Sequence, residues 1–296
     1  MVFRKVLVPI GGGTATPCIL HAALLFARAT GAHITALHVQ ADAKEAVPLL
    51  GEGMSGSMIE DMVDMAEKEG DERSKRAREK FDAFVQVNGL TVQEDGTGGD
   101  GGTASLTFTA GREDEMVARL GKVSDLVVSS RPNPDSDRPP LMMVHAAIFE
   151  TGKPVLLLPL EPIETLGSNI LIAWSGTSEG ARAVSAAMPL LEKADKVTVT
   201  TVESEKSLAR VGADELVQHL AWHGVTAAYE GITSDGHPAG ELISAKAKDL
   251  GCDLMVMGAF THSRLIQIIL GGVTRHMMNT SDIPILMSHY GLTDFL

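Results

Sequence analysis

Aromatic residues are scarce in this 296-residue chain, 4% in all, with only two tryptophans and two tyrosines. Its cores must be built from Val, Leu, Ile, Ala and Met, which argues for buried strands and close helix packing and against an aromatic binding platform. Cysteine is nearly absent too. Cys18 and Cys252 stand one in each half, with no CxxC and no metal-ligand spacing, and read as reduced thiols of a cytoplasmic protein. Cys252, at the edge of an apolar strand, is expected to be buried and inert. No apolar run reaches the roughly 18 residues of a membrane helix, and no signal-peptide pattern opens the sequence.

Positive charge is also in short supply. The net charge is −13, and neither half is basic: residues 1–164 carry 16 basic against 24 acidic side chains, residues 165–296 carry 9 against 14. Nucleic acid and anionic membrane are therefore disfavoured as partners. The one basic stretch (Arg73, Lys75, Arg76, Arg78 and Lys80) alternates with acids and reads as a solvated helix face. Catalytic signatures are missing as well. There is no GxSxG elbow, and no pair among the ten histidines has the spacing and neighbouring acid of a zinc hydrolase. The expectation is a protein that is not an enzyme and holds no metal of its own.

What the chain does have is a repeat. Lys5-Val-Leu-Val-Pro-Ile-Gly11 near the start is matched by Asn169-Ile-Leu-Ile-Ala-Trp-Ser175 near the middle. Each is a short, wholly apolar run, the pattern of a strand buried on both faces. An Ala-rich helical pattern follows each, then a second strand at His33–Val39 and Lys196–Val202. The match resumes at 122–130 with 250–258, and at 152–159 with 282–289. The offset falls from 164 to about 129, so the first half carries an excess of about 35 residues, placed at about 45–105. Within it Met58, Ile59, Met62, Met65 and Ala66 sit at helical spacing. They read as the core stripe of an amphipathic helix, with an adaptable binding surface as the alternative, and Gly70 is expected to interrupt or kink it. The third strands are placed at Thr91–Glu94 and Val225–Glu230, a loop at Glu94–Gly102 and a linker at Leu160–Gly167. Alternation of this kind predicts an α/β protein with two repeats of a doubly wound, five-stranded parallel sheet, two sheets rather than one, in domains 1–160 and 167–296.

Three features together resemble the universal stress protein family over nearly the whole chain, twice. They are the opening strand with its small-residue turn, Gly251-Cys-Asp-Leu-Met-Val-Met-Gly258, and the stretch Gly258 to Thr274 with the helix start Arg275-His-Met-Met. The resemblance implies a stress-response or signalling module that binds an adenine nucleotide such as ATP, with Mg²⁺ accompanying it. Members that bind ATP carry Gly, two residues, Gly, nine residues, then Gly and Ser or Thr. Here Gly258 matches the first glycine, Thr261 replaces the second, and Gly271 keeps the nine-residue spacing. Gly272 takes the hydroxyl position and Thr274 supplies a hydroxyl two residues on. Glycines admit backbone N–H groups to phosphate oxygens, and the following helix start adds free donors. His262 and Arg264 lie in the intervening loop. The family's Asp at the end of the first strand is Gly11 in the first half and Ser175 in the second. In the first half Pro132, Pro134, Pro139 and Pro140 stand where donors are needed, so the site is assigned to the second half. The resemblance also implies pairing through the last strands, within the chain or in a homodimer. Two further readings stay open: a nucleotide-free interaction or dimerisation module of the same fold, and an adenylate-cleaving enzyme of a related α/β class.

Overall fold

The computed structural model describes residues 2–41, 56–94, 101–132, 139–203, 212–259 and 271–289. The first half runs β1 (Lys5–Pro9), α1 (Thr16–Thr30), β2 (His33–Gln40), α2 (Gly56–Asn88), β3 (Thr91–Val92), β4 (Thr103–Ala110), α3 (Glu113–Gly121), β5 (Leu126–Ser130), α4 (Leu141–Glu150) and β6 (Val155–Leu158). The second runs β7 (Asn169–Ala173), α5 (Ser178–Leu191), β8 (Lys196–Thr200), β9 (Val202–Glu203), α6 (Ala213–Trp222), β10 (Ala227–Tyr229), β11 (Ile232–Thr233), α7 (Ala239–Asp249), β12 (Leu254–Gly258), α8 (Gly272–Thr280) and β13 (Ile285–Ser288).

Every strand of the first half pairs parallel, in the order β3-β4-β2-β1-β5-β6. The second half has the order β10-β8-β7-β12-β13, again parallel, with a small β11-β9 pair beyond the ends of β10 and β8. In each half the chain builds outward from its first strand, then returns to the other side of it, the doubly wound arrangement. The expectation of two separate sheets is corrected. β13 pairs antiparallel with β6 (Leu286 opposite Leu156), fusing the halves into one 11-stranded sheet. Both edges are four-residue, wholly buried strands, apolar but for Ser288, and covering them removes two exposed sheet edges at once.

The pleat explains the two-sided burial. In β1, Val6 and Val8 face one core while Leu7 faces the other; in β12, Leu254 and Val256 divide from Met255 and Met257 in the same way. The first core lies under α1, α2, α5 and α6, the second under α3, α4, α7 and α8. Both run through the two halves without a break, and side chains add to the seam: Lys193 Nζ donates to Ala29 O (2.6 Å) and Arg131 Nη1 to Asn279 O (2.6 Å).

The third strand of the second half falls where the sequence put it. In the first half it does not. The strand beside β2 is β4, Thr103–Ala110, and Thr91–Val92 is an extra outermost strand. Thr103-Ala-Ser-Leu-Thr-Phe-Thr-Ala has eight residues to pair with β2, against two at Thr91. The helix between them also differs from expectation. α2 is 33 residues long and continuous through Gly70, whose missing side chain leaves room for the Gln40 amide, 3.2 Å from where a Cβ would sit. Only its C-terminal part packs, through Ala77, Phe81 and Phe84. Met58, Met62 and Met65 are 52%, 38% and 71% exposed, so the methionine stripe is not core.

Candidate functional site

In the second half the ends of β7 and β12 lie side by side, Ala173 opposite Met257, where the winding reverses and a crevice opens beyond the strand ends. After β7 the chain turns through Ser175 and Gly176 into α5. Thr177 caps that helix, its hydroxyl accepting from Gly180 N (3.2 Å) and lying 3.2 Å from Ser175 Oγ. Ser175 is exposed at this turn. Gly258 closes β12 against the same helix. A Cβ there would sit 2.6 Å from Gly180 N and 2.8 Å from Glu179 Cβ. This glycine is therefore required by strand-to-helix packing, a reason independent of any ligand.

The third component is the start of α8. Gly271 is its N-cap and makes no side-chain cap bond, and no acid lies in its first turn. Gly272 is exposed, and a Cβ there would meet nothing within 4 Å. Thr274 is buried in that turn and already bonded. Four of the sequence-predicted residues, Gly258, Gly271, Gly272 and Thr274, thus belong to the end of β12 and the helix leading into β13, and Ser175 belongs to the adjoining turn. Thr261, His262 and Arg264 lie outside the described residues. His289, past β13, bonds through Nδ1 to Ala259 O (2.8 Å), closing the β13 side.

The matching region of the first half is built differently. Gly11-Gly12-Gly13 is a turn, and Gly12, at φ +74°, packs under α2: a Cβ would meet Arg73 O at 2.5 Å and Ala77 N at 2.9 Å. Lys80 Nζ bonds Gly13 O. His38, near the end of β2 and 2% exposed, ties the same three elements together. Its Nδ1 is 2.9 Å from Ile10 O, which can only accept, so Nδ1 carries the proton and Nε2 accepts from Ser74 Oγ at 3.1 Å. Burial pushes its pKa down, with Arg73 adding to the effect. Two adjoining hollows of about 490 and 320 Å³ lie beyond these strand ends, sharing Glu69, Arg73, Glu113 and Pro140 as walls. The sequence reading missed this cleft. Arg73 is exposed, as the solvated-face reading of its stretch expects, yet it also borders both hollows, and Glu113 was not singled out because only the packing of α2 brings the two together. Burial raises the Glu113 pKa, opposed by the nearby Arg73 charge.

Among the described residues no group of three or more His, Cys, Asp or Glu is placed to hold a metal ion, and no helix is long and apolar enough to cross a membrane. Both cysteines are free. Cys252 is buried, and desolvation pushes its pKa up to about 11, which leaves it a poor nucleophile.

No curated protein matches the chain. A universal stress protein from Archaeoglobus fulgidus DSM 4304 is similar in structure over 97% of this chain and 98% of its own, with a TM-score of 0.69 and 15% identity. A functionally unknown protein, PA1789, from Pseudomonas aeruginosa PAO1 covers 97% of this chain and 92% of its own, with a TM-score of 0.57 and 16% identity. Identities this low carry the fold alone, and they carry it across both halves. The model of the universal stress protein family matches residues 168–289, the stretch from just before β7 to just after β13. The second half is thus similar to the universal stress protein family in sequence, and the first half is built on the same strand order.

Proposed function

We propose that the chain is a nucleotide-responsive stress or signalling module that holds an adenine nucleotide at the strand ends of its second half and does not turn it over. The start of α8 carries this reading. Its N-cap is a glycine that makes no side-chain cap bond, its first turn holds no acid, and among the described residues nothing fills the space at Gly272, which admits a phosphate to the backbone. Ser175, exposed at the turn after β7, is the hydroxyl free to meet the nucleotide, Thr274 holds the helix turn from within, and Mg²⁺ accompanies the nucleotide as its counter-ion. Calorimetric titration of the whole chain with AMP, ADP and ATP tests the reading. Gly272→Asp is the informative variant, since its side chain enters free space and an acid at a helix start does not harm the helix. It places a negative charge where phosphate would lie and is expected to weaken binding roughly 10-fold or more, the effect of losing one charge-assisted interaction. No heat from any of the three nucleotides, or an unchanged affinity in Gly272→Asp, defeats the assignment.

The buried β6–β13 pairing favours a second reading, a nucleotide-free module that acts by association. Under it none of the three nucleotides gives heat while the fold remains intact.

A further inference from the structure

The first-half cleft is a different kind of site from the helix start of the second half. Its walls come from side chains, and its charges are of both signs. Half of those charges are already engaged. Arg112 pairs with Asp114 (2.7 Å) and Glu115 (3.5 Å), and Arg76 with Glu72 (3.5 Å). Arg73, Glu113 and the exposed Glu69 remain. Arg73 is near enough for its charge to be felt at Glu113, yet neither makes an ion pair or a side-chain hydrogen bond among the described residues. Glu113 lies in the first turn of α3, largely removed from water, where an uncompensated carboxylate is costly. The backbone holding these groups is fixed, because Gly12, His38 and Lys80 clamp α2 against the ends of β1 and β2.

Unpaired groups of both signs, Arg73 against Glu113 and the more exposed Glu69, border one hollow, and this selects among ligands. A polyphosphate would meet Glu69 and Glu113 as well as Arg73, and a polyamine would meet Arg73 as well as the acids. A molecule with one charge of each sign offers an anion to Arg73 and a cation to the acids, of which Glu113 is the more buried. Part of the wall of the larger hollow is apolar and adaptable, made by Val39, Ala66, Met142 and Met143. Its volume of about 490 Å³ falls within the range of small-molecule sites. We propose that this cleft binds a small aliphatic α-amino acid as its zwitterion, with the carboxylate at Arg73, the ammonium at Glu113 and the side chain against the methionines. The site is independent of nucleotide binding in the second half.

The test uses the whole chain, with L-leucine as the probe and two analogues that each lack one charge, L-leucinamide and 4-methylpentanoate. Binding is followed by calorimetry and by the methyl NMR signals of Met142 and Met143. Leucine is expected to bind and shift both methyls, and each analogue to bind roughly 10-fold more weakly, the loss of one charge-assisted hydrogen bond. Arg73→Gln should weaken leucine to the level of leucinamide while leaving leucinamide unchanged. Glu113→Gln should do the converse, leaving 4-methylpentanoate unchanged. If either variant fails to fold, the series on the unmodified protein decides alone. No leucine heat and no methyl shift overturns the proposal. So does leucinamide or 4-methylpentanoate binding as well as leucine, and so does AMP shifting the same two methyls.

Discussion

The two halves share a strand order and differ at the strand ends. Each surrounds its first strand with a second on one side and a fourth on the other, and each has two pairs of helices covering its faces. Beyond the strand ends the first half is governed by α2, 33 residues long, against the 10 residues of α6 at the matching place. That helix carries Glu69 and Arg73 over the crevice and turns it into a side-chain cleft. The second half leaves a backbone helix start exposed. The sheet, buried on both faces, admits little change. The crevice at its carboxyl edge belongs to loops and helix termini, so the chemistry of the two halves diverges there.

The seam between the halves is where the comparison is most easily broken. Leu286 and Leu156 face each other across it, both fully buried. Leu286→Asp places a charge without a partner in the middle of the 11-stranded sheet and is expected to cost roughly 3–5 kcal/mol. A denaturant titration should show a lowered midpoint, or two transitions where the unmodified chain gives one. At the outer edge of the first half, Val92 is 56% exposed, and Val92→Asp should fall within about 0.5 kcal/mol of the unmodified chain. Equal effects at seam and edge would show that the halves do not depend on their junction.

The end of the fourth strand sharpens the comparison, because Gly258 and Ser130 hold the same place in the two sheets. Gly258→Ala drives a methyl to within 2.6 Å of Gly180 N, backbone that can yield only by moving α5, and should cost about 1–3 kcal/mol. Ser130 already carries a Cβ, and its hydroxyl is buried with no hydrogen-bond partner among the described residues. Ser130→Ala removes an unsatisfied polar group and should be neutral or stabilising by up to about 1 kcal/mol. Thermal melts of the two variants should move in opposite directions, or one should move and the other stay. A fall of similar size in both would mean that the strand end tolerates no change in either half.

The fold was legible in the sequence wherever a strand is buried on both faces. The runs at Lys5, Asn169, Leu126 and Leu254 are apolar without alternation, and the structure places each in the interior of the sheet with a strand on both sides. The third strand of the first half was misplaced because Thr103–Ala110 lies near the sheet margin and alternates small, polar and apolar residues, a weaker signal than the central runs. The methionines of α2 carry helical spacing whether or not anything covers them, so periodicity predicted the helix and not its burial. The fusion of the two sheets has no local signal, since a buried last strand reads the same whether its neighbour is a helix, a partner or the other half. At the second-half crevice the helix start at Gly271 and Gly272 was visible as a glycine pair before a helical pattern. The first-half cleft was not, because Arg73 and Glu113 stand 40 positions apart and meet only through the packing of Gly12 under α2.

The smallest effect separates the halves by acid. Among the described residues three histidines have lowered pKa values, His33, His38 and His145, with burial the largest cause in each, and all three belong to the first half. His38 is the most enclosed. Its neutral ring is held between Ile10 O and Ser74, and protonating it would put a second proton on the nitrogen that accepts. The unfolded chain takes that proton near the ordinary value of 6.5 and the folded chain only at lower pH, so the unfolded state binds more protons in between. Stability contributed by the neutral ring is therefore fully present above about pH 7 and falls as the pH drops through 6.5, at up to about 1.4 kcal/mol per pH unit until the folded ring also protonates. Glu113, whose pKa is raised, acts with the opposite sign: the stability it adds is present at low pH and declines as the pH rises past 4.5. The informative quantity is thus the difference between the unmodified chain and His38→Asn, whose amide can still donate to Ile10 O. Urea titrations at pH 7.5 and 5.5 should show the unmodified chain losing more stability than the variant on acidification, by up to about 1 kcal/mol. Equal losses would mean that His38 protonates in the folded chain as readily as in the unfolded one, and the clamp on α2 would then not depend on its neutral ring.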